Sequence, residues 1–264
     1  MRKFAAAFLG IFLLVAVAAD YIAPAGYEVQ FRETPNASPS RQHLLGTDEL
    51  GRDLFSRLLY GTRVSLLLAP AAAFLAGVIA TLVGGIAGLV GGFTERIAMG
   101  TTDLLLSLPW LFVLIAVRAM LPLNVSPLVS ATVTFALLGV LGWAGSARVI
   151  CAATTKMRNS GFVLNARAAG IGGWRLLLIQ LMPNLAPILW AQFLVAVPVF
   201  ILAEANLGIL GLGVAEPLPS WGTLLKQLEG MMGLAAEPWK FVPLLLLVAV
   251  VSCFELVLKP EEAL

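Results

Sequence analysis

Charged residues are scarce in this chain of 264 residues: only 12% are Asp, Glu, Lys or Arg, whereas 59% are hydrophobic. The mean hydropathy is +0.93. Soluble domains carry roughly 25% charged residues, so the composition excludes an ordinary soluble domain and predicts an integral membrane protein. The formal net charge is +2 and no basic run is interleaved with aromatic residues, which excludes a nucleic-acid-binding protein.

Residues that bind metals or form disulfides are equally scarce. His43 is the single histidine and no cluster of metal ligands accompanies it, so we expect no zinc or di-iron site. Cys151 and Cys253 lie in or beside apolar runs, which favours packing over a disulfide framework. No lysine follows a glycine, so the phosphate-binding pattern G-x-x-x-x-G-K-[ST] is missing. We therefore expect no cofactor in this chain.

Long apolar segments dominate the rest of the sequence. Six of them have about the 17 to 25 residues that a helix needs to cross a bilayer core. Helices are predicted because a lipid-exposed backbone must satisfy its own hydrogen bonds, and alternating ten-residue strands are missing. The predicted fold is all-α and polytopic. The predicted spans are residues 4–22, 64–92, 98–121, 127–150, 185–206 and 241–258.

The first predicted span has two interpretations. It follows a basic start and ends in Ala-x-Ala, like a secretory signal, but it is also long enough to serve as a membrane anchor. We expect an anchor because the chain is polytopic. With the amino terminus inside, residues 25–63 and 207–240 lie outside and residues 151–183 lie inside. Lysine and arginine residues do not decide this orientation, because both sides carry several of them.

Glycine is concentrated in the second predicted span. Spacing of about four residues between small side chains lets another helix approach closely. We expect these glycines to serve generic helix packing. They are Gly84, Gly85, Gly88, Gly91 and Gly92.

The third predicted span holds two charged residues, Asp103 and Arg118. Fifteen residues at a rise of 1.5 Å cover about 22 Å, which predicts that the two lie near opposite ends of one helix. A long arginine side chain near a helix end can reach the membrane interface, and we expect Arg118 to do so.

The segment between the fourth and fifth spans contains the sequence NARAAGIGGWRLLLIQLMPN. A short helix is predicted from a cap at Asn159 or Ser160 to Ala169, and Gly170 suits the turn at its end. A glycine pair then precedes a second helix that reaches Met182. Small residues flatten one side of the first helix, and two arginines offer charge-assisted bonds to carboxylates. This surface suits docking to a protein; the alternative is a solvated loop without a partner.

Several stretches together resemble a known family. The alanine-rich turn, its glycine and the later Leu-Met-Pro-Asn resemble the EAA motif, the coupling loop of ATP-binding cassette (ABC) importer permeases. HLLGTDELGRDLFSRLLYGTRVSL at 43–66 and ILAEANLGILGLGVAEPLPSWGTLL at 201–225 are similar to permeases of the dipeptide, oligopeptide and nickel branch. With DLLLSLP at 103–109, the likeness covers most of residues 43–240.

The resemblance implies a permease subunit that forms half of the pathway of an ATP-driven importer of peptides or similar small solutes. The implied partners are a second permease, often non-identical, two cytoplasmic ATPase subunits that hold ATP and Mg, and an extracytoplasmic substrate-binding protein. The chain would lie in the cytoplasmic membrane of a bacterium or archaeon. Its predicted parts are an anchor (1–24), an extracytoplasmic segment (25–63), a permease core (64–258) with the coupling loop (151–183), and a tail (259–264).

The resemblance also implies roles for individual residues. The residues expected to contact the ATPase are Ala166, Arg167, Ala168, Ala169, Gly170, Arg175 and Pro183. An acid inside a membrane span is a functional candidate, and nearby glycines permit close packing or bending. The predicted outer gate therefore comprises Glu204, Gly208, Gly211 and Gly213. Structural pairing of Glu204 is the alternative.

The sequence departs from the family pattern in the coupling loop. Leu164 stands where the family usually has the glutamate of its motif, and Asn165 replaces the alanine that follows it. Leu164 cannot make the contacts of a carboxylate, so we expect its truncation to have a mild effect.

Two other classes of protein compete with a permease. A secondary transporter or channel would place coupling groups or a filter near the bilayer midplane, whereas the acids here lie mostly at helix ends. An intramembrane enzyme would need a catalytic pair at matching depth, and Asp103 has no aspartate partner at its depth in the predicted spans. Copurification of an ATPase would favour the permease, and proton-driven uptake by the lone chain would favour the transporter.

Overall fold

The computed structural model describes residues 2–122, 125–228 and 237–258. Within these ranges the chain is helical, and its only bridge pairs are isolated ones. A π-helical turn, Leu176–Leu181, precedes α10, and a 3₁₀ turn, Pro238–Phe241, precedes α12. The α-helices are α1 Arg2–Val17, α2 Ala19–Ile22, α3 Leu54–Val90, α4 Gly92–Ser107, α5 Trp110–Met120, α6 Pro127–Leu141, α7 Ala144–Arg158, α8 Gly161–Ala168, α9 Gly173–Arg175, α10 Met182–Ile209, α11 Trp221–Lys226 and α12 Val242–Leu258.

The prediction of an all-α polytopic fold is confirmed. Within the described ranges, four helical stretches are long and apolar enough to cross a membrane, or up to five if the bent pair α4 and α5 forms one span. Among the described residues, the first predicted span falls short of this length, because α1 has 16 residues and α2 only 4. The predicted tail and part of the predicted outer segment 207–240 lie outside the described residues. The four stretches are Leu54–Val90, Pro127–Arg158, Gly173–Ile209 and Pro238–Leu258.

The chain divides into two compact units. The first comprises Met1–Pro70, Val117–Phe135 and Pro198–Leu264, and the second comprises Ala71–Ala116 and Ala136–Val197. Within the first unit, α12 packs against both α1 and α11. Within the second unit, α7 packs against α4, and α8 contacts the π-helical turn.

Helix α3 begins at Leu54, so the predicted boundary at residue 63 falls inside a helix. Asp53 explains the early start, because its carboxylate accepts a hydrogen bond from the Ser56 amide (2.7 Å) in the manner of a helix cap. Basic residues in the first turns of α3 form ion pairs with acidic residues. Arg63, for example, donates to Asp20 across 2.7 Å.

We predict that Asp53→Ala lowers the free energy of unfolding by about 1 to 2 kcal/mol, because α3 loses its cap. The hydrogen bond between Asp53 and His43 (3.0 Å) is lost as well. Thermal unfolding of the purified protein in detergent measures the change. Asp53→Asn keeps an oxygen acceptor and is the control, which we expect to be less damaging. Equal losses for the two substitutions would contradict the capping role.

The third predicted span is not one straight helix. Helices α4 and α5 meet at an angle of 84°. Leu108 is extended (φ −84°, ψ 138°), as expected for a residue before a proline, and Pro109 lacks the amide that a continuous helix needs. The predicted 22 Å separation of Asp103 and Arg118 along one helix is therefore wrong. Asp103 instead forms an exposed ion pair with Arg148.

Close packing in the second unit depends on glycine. A Cβ atom on Gly84 would overlap the carbonyl group of Ala147, and one on Gly88 would lie 2.6 Å from the carbonyl oxygen of Cys151. Helices α3 and α7 therefore approach with backbone against backbone. The predicted packing role is confirmed for these two glycines, whereas a Cβ on Gly92 would meet no atom within 4 Å.

Candidate functional site

Helix α8 begins directly after Ser160, one of the two residues predicted to cap it. Ser160 has the extended backbone of a capping residue (φ −72°, ψ 152°). Its hydroxyl, however, donates to the Met157 carbonyl (2.6 Å) instead of capping α8. The predicted position of the helix start is confirmed, and the predicted capping bond is not formed.

The end of α8 is a glycine turn of the Schellman type. Gly170 has φ +81°, the left-handed conformation predicted for it. The Gly170 amide donates to the Arg167 carbonyl, and the Ile171 amide donates to the Ala166 carbonyl, both at 2.9 Å. These two bonds define the motif and satisfy carbonyls that the helix end leaves free. The predicted turn at Gly170 is confirmed.

The second predicted helix of this segment does not stop at Met182. One helical stretch runs from Gly173 to Ile209. A proline inside a helix removes one backbone bond, and the π-helical turn ahead of Pro183 shifts the hydrogen-bond register, with the Met182 amide donating to the Leu177 carbonyl. The predicted gap between the coupling loop and the fifth span is therefore wrong.

Most of the residues predicted to contact an ATPase lie at the surface. Ala166 is the exception: it is 8% exposed and belongs to the core of the second unit with Val163 and Leu177. Its small size serves packing within this chain, so the expectation that it lies at a docking surface is wrong. The exposed residues are Arg167, Ala168, Ala169, Gly170, Arg175 and Pro183.

The sequence did not predict that three large apolar residues flanking the turn are exposed. Phe162, Leu164 and Trp174 are exposed by 39%, 51% and 51%. The spacing of buried Val163 and Ala166, three residues apart on α8, could have identified the inward side and so the outward one. We refer to residues 161–175 as the turn segment. It presents exposed apolar, small and basic side chains together.

Three of the predicted gate residues meet in the first unit. A Cβ atom on Gly213 would lie 2.7 Å from the Gly208 Cα and 3.4 Å from Glu204 Oε1. A Cβ on Gly208 would overlap the Gly222 backbone, so α10 and α11 also touch without intervening side chains. We refer to Glu204, Gly208, Gly213 and Gly222 as the gate cluster. Gly222 is the member that sequence reasoning missed.

Glu204 lies inside the gate cluster. Its residue exposure is 0%, and the Ser220 hydroxyl donates to its Oε1 atom across 2.6 Å. Ser220 also caps α11 through a reciprocal pair of bonds with Thr223. The carboxyl group therefore joins α10 to the start of α11, which matches the structural pairing that the sequence left open.

Gly211 stands apart from the gate cluster. It is exposed, has φ +75°, and ends α10 in a second Schellman turn, with the Leu212 amide donating to the Leu207 carbonyl (2.8 Å). A Cβ atom there would approach the Lys226 Nζ atom at 2.7 Å. A lysine side chain can move aside, so packing does not restrict Gly211 as it restricts Gly208.

A partly buried charge network, not foreseen from the sequence, holds the stretch after the gate glycines. Glu216 accepts from Arg52 Nη1 (2.7 Å) and from Arg57 Nη2 (2.9 Å), and Arg52 Nε also donates to Asp48 (2.7 Å). Arg57 is completely buried. The spacing of four residues between Asp48 and Arg52 was the one feature of the sequence that could have predicted their ion pair. The network ties the 210–220 stretch to the amino-terminal part of the first unit.

Arg118 also contacts this stretch. It is 1% exposed, and its guanidinium donates to Ser130 Oγ (3.0 Å), to Thr134 Oγ1 (3.3 Å) and to the Gly213 carbonyl (3.4 Å). The expectation that Arg118 reaches the membrane interface is therefore wrong, because hydroxyl groups on α6 and a carbonyl group hold it in the interior.

Comparison with known proteins identifies the family of this chain. Residues 58–258 match the family described as binding-protein-dependent transport system inner membrane component. The chain belongs to this family. The matched residues include both the turn segment and the gate cluster of the permease. Membership of the family favours a permease over the secondary transporter, the channel and the intramembrane enzyme.

Relatives of the permease carry names from one group of importers. It is 31% identical to the dipeptide transport system permease protein DppC of Bacillus subtilis (strain 168), over 90% of this chain and 74% of the relative. It is 32% identical to the oligopeptide transport system permease protein OppC of the same strain (87% and 73%). It is also 32% identical to the glutathione transport system permease protein GsiD of Escherichia coli O1:K1 / APEC (96% and 82%).

The permease is accordingly a non-catalytic transmembrane component of an ABC importer in the inner membrane. Importers of this kind generally work with a second permease, with ATPases and with a binding protein. The ATPase activity belongs to partner chains.

A cavity of about 810 Å³ borders the gate cluster within the first unit of the permease. Its lining combines apolar residues with acids and bases of both signs, which distinguishes it from an apolar packing gap. The charged residues of the lining are Asp48, Glu49, Arg52, Glu216, Lys226 and Lys240.

Proposed function

We propose that this permease forms half of the translocation pathway of an ATP-driven importer of peptides or similar small solutes. Similarity to the dipeptide, oligopeptide and glutathione permeases over 87% to 96% of the chain is the observation that carries the proposal. The solutes in these three names are short peptides. They all carry a charged amino group and a charged carboxylate, which the mixed charges around the 810 Å³ cavity complement.

The turn segment docks to a cytoplasmic ATPase in this proposal. Exposed Phe162, Leu164 and Trp174 supply apolar area, and the small residues around Gly170 let a partner surface approach the backbone. Exposed Arg167 and Arg175 are available for carboxylates of the partner. The turn segment therefore faces the cytoplasm, and the gate cluster lies toward the outside.

Continuity of one helix supports transmission of movement between the two sites. The helical stretch that begins at Gly173, inside the turn segment, ends at Ile209, beyond Glu204 and Gly208. Closure of the ATPases shifts the turn segment, and the helical stretch that begins there carries the shift toward the gate cluster. The second permease, of different sequence, supplies the other wall of the pathway, and ATP and Mg bind to the two ATPase subunits.

A pull-down in mild detergent tests the proposed partners. We expect the tagged chain, extracted from its native membrane, to copurify with an ABC ATPase and a second permease of different sequence, and to retain an extracytoplasmic binding protein. Mass spectrometry identifies the chains. Recovery of the permease without any ATPase would contradict the proposal.

The substrate class is tested with the same complex in proteoliposomes. We expect a mixture of dipeptides and oligopeptides, added with the binding protein, to stimulate ATP hydrolysis and to accumulate inside. Free amino acids and sugars at equal concentration are the controls. Stimulation by the controls and not by peptides would refute the peptide assignment while leaving the importer assignment intact.

A further inference from the structure

Two buried residues of opposite charge in the first unit lack a charged partner. Arg118 bonds only to the neutral groups of Ser130, Thr134 and Gly213, and its Nη1 atom is buried without a hydrogen-bond partner among the described residues. No described acid lies within ion-pair distance of its guanidinium. Burying a charge without an opposite charge is unfavourable.

Glu204 likewise lacks a partner of opposite charge within the described ranges. Its Oε1 atom accepts from Ser220, but its Oε2 atom is buried and has no hydrogen-bond partner in the described part of the chain. Ser65 and the Gly222 amide are the other polar groups near this carboxyl group. No base is close enough to form an ion pair with it there.

A single residue, Gly213, is close to both of these groups. The Gly213 carbonyl accepts from Arg118 Nη2 (3.4 Å), and a Cβ atom on Gly213 would lie 3.4 Å from Glu204 Oε1. Gly213 has no side chain and belongs to the connection between α10 and α11, outside any helix. The carbonyl also accepts from Ser130 Oγ (3.4 Å), and the Ala215 amide donates to that same hydroxyl (3.1 Å).

We propose that Arg118 and Glu204 form a direct ion pair in a second conformation of the gate, and that Gly213 keeps them apart in the conformation described here. When the 213–215 stretch withdraws, the guanidinium exchanges a carbonyl group for a carboxylate, and both unpartnered atoms gain a partner. The gate then has two discrete arrangements, each held by Arg118. The inference rests on the proposed function, because an importer must open and close its pathway in every cycle.

The second conformation is stabilised by attraction between opposite charges in a poorly solvated interior. The first is stabilised by several weaker bonds and by the close packing of Gly213 on Gly208. Arg118 therefore acts as a positioning residue for the gate. The two arrangements differ in whether the 213–215 stretch lies between the charges, and a gate of this kind is bistable and not continuously deformable.

A double-mutant cycle tests the ion pair in the complete reconstituted importer. We expect Arg118→Gln and Glu204→Gln each to lower peptide uptake at least about tenfold, because each leaves one unpaired charge in the second conformation. The double variant removes both charges, so we expect its uptake to exceed that of either single variant. Thr134→Val combined with Glu204→Gln is the matched control, and its losses should multiply. Losses that also multiply for Arg118 with Glu204 would overturn the proposal.

Accessibility of the 213–215 stretch distinguishes this switch from a purely structural contact. In a background without Cys151 and Cys253, we expect a cysteine-directed reagent to label Ala215→Cys at least about tenfold faster after vanadate trapping with ATP than at rest. Arg118→Gln should reduce that ratio, and Arg118→Lys should partly restore it. Equal labelling rates in both states would refute the withdrawal. Uptake by the unsubstituted complex tests the proposed function separately.

Discussion

Gly170→Trp is expected to abolish peptide uptake and to weaken association with the ATPase at least about tenfold, while the permease stays in the membrane at a near-normal level. The structure separates these effects, because a Cβ atom on Gly170 would meet no heavy atom of the described residues within 4 Å. The internal cost is limited to about 1 to 2 kcal/mol for a non-glycine residue at φ +81°. The indole group projects into the space that the proposal assigns to the ATPase.

Gly170→Asn is the matched control for Gly170→Trp. Asparagine tolerates the left-handed conformation and adds little bulk, so we expect uptake close to normal. Copurification of the ATPase and peptide-stimulated hydrolysis are the two measurements. If Gly170→Trp leaves both intact, the turn segment has no coupling role and is an ordinary connection between helices.

Two alanines of the turn segment provide a second comparison. Ala169→Asp places a charge on an exposed position, so it should impair ATPase association without reducing the amount of protein. Ala166→Asp places a charge in the core and should reduce the amount of folded protein instead. Leu164→Ala should be mild, because half of that side chain is already exposed.

Gly208→Leu is expected to abolish both uptake and stable assembly. A Cβ atom on Gly208 would overlap the Gly222 backbone, and backbone atoms of two packed helices cannot move aside as a flexible side chain can. Overpacking in a core typically costs about 1 to 3 kcal/mol, and a clash with backbone belongs at or above the upper end of that range. The amount of monodisperse protein after extraction in detergent reports the loss.

Gly211→Leu is the comparison for Gly208→Leu. Gly211 is exposed, and among the described residues a Cβ atom there would approach only the end of the Lys226 side chain, so the substitution strains the turn at φ +75° without a backbone clash. We expect transport to fall more than assembly. Normal assembly of Gly208→Leu would show that α10 and α11 do not pack at the distance described here.

The sequence predicted the structure of the turn segment more accurately than that of the gate cluster. Gly170 was predictable because a Schellman turn is a local structure, and its hydrogen bonds join residues within five positions of one another. Pro109 is also a local signal, because a proline predicts a break in a helix. The continuous apolar pattern of residues 98–121 nevertheless led to the prediction of one span. Ala166 was assigned to the wrong surface, because composition does not distinguish a small residue that fits a partner from one that fits its own core.

The gate depends on contacts that no local pattern encodes. Glu204 pairs with Ser220, the capping residue of α11, and Arg118 reaches Gly213, which lies 95 positions away in the chain. The glycines around them are small because backbone approaches backbone, and the identity of the approaching residue, Gly222, follows only from the packing of α10 on α11.

The sequence by itself determined that this protein is a helical membrane protein, where most of its long helices lie, and which family it resembles. Lipid cannot hydrogen-bond to the backbone, so apolar length alone specifies a spanning helix. Only the tertiary structure decided that α4 and α5 meet at 84°, that Arg118 is buried, and that Gly213 is close to both Arg118 and Glu204. Those features depend on contacts between helices that are far apart in the sequence, and these contacts follow only from the packing of the whole unit.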